Sequence, residues 1–138
     1  MNNPVTKESL NEIATEYHLG NPLEDKEFDQ GFMDHSYSWI KNCIADNQRV
    51  LEMGYGEGNF TEKLVSDGIR SDIVEGAELL VNEARSKYGS RVGIYHSMFN
   101  EFVPEEKYDV VLATNILEHV EDPVSVLRCI HNWLNPDG

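Results

Sequence analysis

Apolar positions along this chain follow two different periods, and the change between them divides it. Leu10, Ile13, Ala14 and Tyr17 fall at i, i+3, i+4 and i+7 in a polar, acidic lead-in over residues 1–30, which predicts one short amphipathic helix. That helix is expected to stop at Leu19-Gly20-Asn21-Pro22, where glycine tolerates a left-handed cap and proline cannot extend the hydrogen-bond ladder. A second helix is predicted over Gly31 to Ala45, with Phe32, Trp39, Ile40, Cys43 and Ile44 on one face.

From Arg49 onward, strand-like and helix-like segments alternate, the pattern of a mostly parallel sheet covered by helices. Strands are expected at Arg49 to Met53, Ile69 to Glu75, Arg91 to His96 and Tyr108 to Thr114. Helices are expected at Asn59 to Ser66 and at Ala77 to Tyr88, where Leu80, Ala84 and Tyr88 recur at i, i+4 and i+8. The run Val110-Val111-Leu112-Ala113 is too continuously apolar for a strand with one wet face, which predicts a central position. A last helix starts at Asp122 as N-cap with Pro123 behind it, carries Val124, Leu127, Ile130 and Leu134 inward, and ends at Asn135-Pro136.

Composition narrows the partners. The 138 residues suit one core, and a net charge of −14 with no basic stripe gives no electrostatic footprint for nucleic acid or an anionic membrane surface. No apolar run approaches the ~18 residues of a membrane span, and Met1-Asn2-Asn3-Pro4 lacks the basic and apolar regions of a signal peptide, so a cytoplasmic chain is expected. Cys43 and Cys129 form no Cys-x-x-Cys pair and read as reduced, partly buried thiols.

Chemistry concentrates at Glu52-Met53-Gly54-Tyr55-Gly56-Glu57-Gly58-Asn59. A strand runs into three alternating glycines and then a helix, so the backbone can turn sharply and admit a ligand to the strand's carboxyl end. A dinucleotide fingerprint would put its third glycine at position 59, where this chain has Asn59, and an acid at Glu52 fits poorly with pyrophosphate.

This pattern resembles the first motif of the class I S-adenosylmethionine-dependent methyltransferases, an acidic residue followed by Gly-x-Gly-x-Gly after the first strand. The resemblance covers about Phe32 to Gly138 and includes Tyr108-Asp109-Val110-Val111-Leu112-Ala113-Thr114-Asn115-Ile116-Leu117-Glu118-His119-Val120-Glu121-Asp122-Pro123, which looks like the fourth-strand motif of the family's small-molecule branch, similar to the ubiquinone and menaquinone biosynthesis methyltransferases. It implies S-adenosylmethionine as cofactor, with S-adenosylhomocysteine as product, held by Glu52, Gly54, Tyr55, Gly56 and Gly58. Glu75, with Gly76 behind it, ends the second strand 17 residues after Gly58, near the spacing at which an acid accepts both ribose hydroxyls. After the third strand the family usually has an aspartate for the adenine amino group; here Met98 stands in its place, leaving adenine to the backbone of Met98 and Phe99 and to apolar contact. Thr114 and Asn115 carry over as the backbone beside the methionine end. Tyr55 replaces the usual small residue, and its ring either covers the methionine moiety or points away.

Asp109 reads as structural, at the fourth strand's entrance. His119 reads either as a general base or as a packing residue. His35, near Tyr37, is a candidate on the substrate side. No catalytic residue is assigned, and His18, His35, His96 and His131 have no metal-ligand spacing, so no metal is expected.

The resemblance implies an α/β, Rossmann-like three-layer sandwich with parallel strands ordered 3-2-1-4, the first half of the family's seven-stranded sheet, and N-terminal helices. Residues 1–30 are then a helical lid segment and residues 31–138 a cofactor-binding methyltransferase domain, expected to be truncated at its C-terminal end. The implied function is methyl transfer to a small-molecule acceptor; the alternatives are a cofactor-binding fragment without turnover and an NAD-binding Rossmann-like protein. A fourth strand left as an open apolar edge is expected to pair with a second copy as a homodimer.

Overall fold

The computed structural model describes residues 5–19 and 23–138. Four parallel strands, β1 (Val50–Met53), β2 (Ser71–Glu75), β3 (Gly93–His96) and β4 (Val110–Leu112), form one sheet in the order β3-β2-β1-β4. Val50 pairs with Ser71 on one side and with Val110 on the other, which sets the register around β1. The α/β sandwich and strand order expected from the motifs are those observed. Because the order reverses between β1 and β4, the carboxyl ends of these two strands flank the crevice where open α/β sheets bind ligands.

Helix α1 (Lys7–Ile13) starts at a capping box: the Thr6 hydroxyl accepts the Ser9 N–H at 3.2 Å, and the Ser9 hydroxyl accepts the Thr6 N–H at 2.9 Å. It continues into a π-helical stretch, Ala14–Leu19. The predicted stop at Gly20-Asn21-Pro22 and the side chain of Tyr17 lie outside the described residues. Helix α2 (Leu23–Asn42) begins earlier than the predicted Gly31. Helix α3 (Asn59–Ser66) has the predicted bounds, and α4 (Glu78–Tyr88) starts one residue after the predicted Ala77, with Leu80, Ala84 and Tyr88 buried as their spacing predicts. Helix α5 (Pro123–Trp133) has Asp122 as its N-cap, accepting the Ser125 N–H at 3.0 Å.

Alternate residues of β1 face opposite layers. Val50 joins Phe60, Leu64 and Leu112 beneath α2 and α3, whereas Leu51 and Met53 join Val74, Phe102, Val126 and Trp133 beneath α5. A third cluster, under α4, gathers Ala14, Tyr55, Ile73, Ala77, Leu80, Ala84 and Tyr88. The continuous apolar run in β4 is thus explained by cover on both faces, yet the strand lies at the sheet's edge and not at its centre. Two residues before β4, Tyr108 forms a parallel bridge to Leu134. Asp109 holds this corner: Oδ2 accepts the Arg49 N–H at 2.7 Å and Oδ1 accepts the Asn135 amide at 2.8 Å.

Side-chain exposure corrects three further expectations. Helix α5 buries Val126 and Trp133, with Cys129 and Ile130 half-covered, and leaves Val124 and Leu127 exposed. The indole decides this face, because its N–H reaches the buried Phe102 carbonyl at 3.2 Å. Helix α2 buries Tyr37, flanked by Met33 and Ile40, with Ile44 just beyond the helix on the same cluster, while Phe32 is 57% and Trp39 71% exposed. Tyr37 fixes that rotation by donating to Asp67 at 2.7 Å, a carboxylate that Lys41 also grips at 2.8 Å. Cys43, on the outer side, is exposed, and Cys129 half-buried; both are free thiols.

Candidate active site

The glycine loop after β1 has the backbone its sequence requires. Gly54, Gly56 and Gly58 have φ of 75°, 54° and 75°, in the region side chains disfavour. The Gly54 N–H continues the sheet ladder to the Val74 carbonyl at 2.9 Å, and the Gly58 N–H closes a turn onto the Tyr55 carbonyl at 2.8 Å. A Cβ at Gly58 would lie 2.5 Å from the Tyr55 hydroxyl oxygen, so this glycine is required by the tyrosine ring as well as by φ.

Tyr55 is 2% exposed and points away from the loop's mouth, into the cluster under α4, edge-on to Tyr88 at 6.3 Å. Of the two orientations the sequence left open, the ring points away into the core, and the main chain of Tyr55 lies at the strand end. Burial, with the nearby Tyr88, raises its phenol pKa well above the usual range.

Two carboxyl groups stand behind the loop. Glu52 is buried on β1 and accepts the Thr61 hydroxyl at 2.5 Å. Its burial, reinforced by the nearby Glu75 charge, pushes its pKa up to about 8 despite the Thr61 hydrogen bond. Glu75, at the end of β2, accepts the Tyr55 N–H on Oε2 at 2.8 Å and the Ala77 N–H on Oε1 at 2.7 Å. A carboxylate has about four acceptor positions, so two further donors can still be met.

The ends of β3 and β4 complete the rim. The Ser97 N–H donates to the Glu75 carbonyl at 3.0 Å, and His96 Nε2 lies 3.1 Å from the Gly76 carbonyl, which brings the segment carrying Met98 alongside Gly76. Met98 Sδ would sit 3.2 Å from a Cβ at Gly76. Phe99 is half-buried and packs toward the cluster under α5. After β4, Thr114 is half-buried and Asn115 exposed with a left-handed φ of 54°, and the Ile116 side chain reaches to 2.8 Å from a Cβ at Gly54. The glycine loop, Glu52, Glu75, Gly76 and Met98 are therefore gathered at one end of the sheet, with Thr114 and Asn115 at the carboxyl end of β4 across the switch point.

The histidine candidates lie differently. His35 is exposed on α2, and its neighbour Tyr37 serves the α2–α3 contact. His119 is exposed in a short 3₁₀ turn after β4. Two residues that the motifs do not mark touch these positions, Thr61 at Glu52 and Leu10 of α1, whose Cδ1 would lie 2.5 Å from a Cβ at Gly76, while Ile116 of the fourth-strand stretch lies over Gly54. No local signal singles out Thr61 or Leu10, because each meets its partner from a separate element.

A family model described as a methyltransferase domain matches residues 26–138. The chain belongs to that family. The assignment agrees with the class I S-adenosylmethionine-dependent methyltransferase resemblance read from the glycine and fourth-strand motifs. A ubiquinone biosynthesis O-methyltransferase of Pseudomonas aeruginosa is 32% identical over 107 residues, 73% of this chain and 46% of that protein. One of Aromatoleum aromaticum is 28% identical over 106 residues, 72% of this chain and 45% of that protein. The chain spans about half the length of the curated relatives it matches. Its fold is shared with the magnesium protoporphyrin IX methyltransferase of Synechocystis PCC 6803, solved with bound S-adenosylmethionine, at a TM-score of 0.74 and 16% identity, covering 98% of this chain and 75% of that one.

Proposed function

We propose that this chain binds S-adenosylmethionine across the carboxyl ends of its four strands and serves methyl transfer to a small-molecule acceptor. Residues 31–138 form the cofactor-binding half and residues 1–30 a lid segment. The observation that carries this is the position of Glu75: a carboxylate, bonded to the glycine loop and with acceptor capacity left, ends the strand beside the one that enters the loop. Glu75 receives the ribose hydroxyls. The main chain of Gly54 to Gly58 lies against the amino-acid portion near Glu52, Gly76, Met98 and Phe99 border adenine, and Thr114 and Asn115 border the sulfonium.

When bound, S-adenosylmethionine supplies a methyl group on a good leaving group. The protein's own task is then to hold donor and acceptor in line and to exclude water, and no covalent residue is needed. An acidic surface disfavours a polyanionic acceptor. On the same reading, a second copy covers the outer edge of β4, which light scattering checks as a dimer; a monodisperse monomer counts against it.

Calorimetric titration tests the cofactor. Saturable S-adenosylhomocysteine binding without NAD binding is the expected outcome, and NAD binding alone overturns the proposal. A methyl-transfer assay on the chain then separates an enzyme from a binding fragment without turnover.

A further inference from the structure

The position beside the proposed ribose acceptor is a glycine, and a distant helix fills the space its side chain would take. Gly76 is buried, and a Cβ built there would lie 2.5 Å from Leu10 Cδ1 and 3.2 Å from Met98 Sδ. Leu10 thus occupies the volume a side chain at position 76 would fill, opposite the methionine that borders the same notch. Its placement is held from both sides. Asn11 Oδ1 accepts the Leu79 N–H at 3.1 Å, satisfying one of the free donors at the start of α4, where Ala77 offers no side-chain cap. One helical turn on, Ala14 is 2% exposed within the cluster of Tyr55, Ala77 and Leu80.

We infer that Leu10 is a cofactor-contacting residue: with Met98 it forms the apolar wall against which the purine of an adenosyl ligand rests, replacing the side chain that Gly76 lacks. This rests on the reading of Glu75 as the ribose acceptor, because a purine attached to that ribose has Gly76 as its next neighbour along the chain. Apolar contact is the form of recognition available here, since Met98 supplies no side-chain acceptor for the adenine amino group. The lead-in helix is accordingly part of the nucleoside site and not only a cover over it.

The test is calorimetric titration of the whole chain with S-adenosylhomocysteine and with 5′-methylthioadenosine, which keeps the nucleoside and lacks the amino acid. Leu10→Ala is expected to weaken both ligands by the same factor, roughly tenfold, which is the loss of a modest apolar contact. Leu10→Met, which keeps apolar reach, should stay near the parent value. The double variant Leu10→Ala/Gly76→Ala should recover part of the loss, since the new methyl group lies where Leu10 Cδ1 was and Gly76 has no positive φ to forbid alanine. Unchanged or tighter binding by Leu10→Ala overturns the inference, and so does a loss that Gly76→Ala does not recover, because Leu10 would then only anchor α1. Failure of the parent chain to bind S-adenosylhomocysteine is a separate result that removes the functional reading itself.

Discussion

The carboxylate of Glu75 accepts the backbone N–H of Tyr55 across the gap between β2 and the glycine loop, at 2.8 Å, while its other oxygen accepts the N–H of Ala77. One buried side chain thereby fixes the start of the loop and the entrance of α4. It is also the group proposed to meet the ribose, so loop geometry and ligand recognition depend on the same carboxylate.

Glu75→Ala leaves two buried donors unpaired, and a loss of roughly 2–4 kcal/mol in unfolding free energy is expected from urea titration. Glu75→Gln turns an amide donor toward one of the two N–H groups, so it should destabilise less than alanine and still abolish S-adenosylhomocysteine binding in calorimetry. Unaltered binding by the glutamine variant would rule out the ribose role.

Stability should fall from pH 5 to pH 8 because of Glu52. Its folded pKa of about 8 stands above the ordinary 4.5, so the native state keeps a proton that the unfolded chain releases. The contribution is fully present below 4.5 and is lost as pH rises toward 8, at up to about 1.4 kcal/mol per pH unit. Urea midpoints for the parent should decline across this window, and those of Glu52→Gln should decline less.

Gly58→Ala meets two obstacles at once, a φ of 75° and the Tyr55 hydroxyl oxygen at 2.5 Å with the ring behind it. A drop of about 2 kcal/mol or more is expected, the cost of a left-handed non-glycine residue plus displacement of a buried aromatic. Combining it with Tyr55→Ala should not add the two losses, because the ring that obstructs the new Cβ is gone; a fully additive pair by thermal denaturation would contradict the contact.

At the amino ends of the strands, Asp72 accepts Arg49 at 2.5 Å and the Tyr108 hydroxyl at 2.9 Å, with the guanidinium 4.4 Å from the centre of the Tyr108 ring. Arg49→Met strands a buried carboxylate, and a loss of about 3 kcal/mol or more is expected from denaturant unfolding. Tyr108→Phe keeps the ring and removes one hydrogen bond, costing about 1 kcal/mol. Neither change should alter S-adenosylhomocysteine affinity at a pH and temperature where the chain stays folded, because the cluster lies at the opposite end of the sheet from the glycine loop.

Much of the fold is legible in the sequence, because its signals are local. The alternation of segments after Arg49 reflects a buried parallel sheet; α4 appears where the spacing of Leu80, Ala84 and Tyr88 puts it; Asp122-Pro123 starts α5 through a hydrogen bond three residues away. The glycines at 54, 56 and 58 announce positive φ directly, since few other residues tolerate it. Helix rotation was less accessible. Helices α2 and α5 each carry more than one apolar stripe, and the faces they bury were chosen by tertiary hydrogen bonds, Tyr37 to Asp67 and Trp133 to the Phe102 carbonyl.

What the sequence determined by itself is the order of elements, the glycine loop at the end of β1 and the acids on β1 and β2, because backbone preference and hydrophobic period act within a few residues. What only the tertiary structure decided is how those parts are used: that Tyr55 turns into the core, that Glu52 accepts Thr61 where burial raises its pKa, that Glu75 grips the loop, and that Leu10 fills the space beside Gly76. Each depends on residues brought together from separate elements, and such contacts leave no periodic trace along the chain.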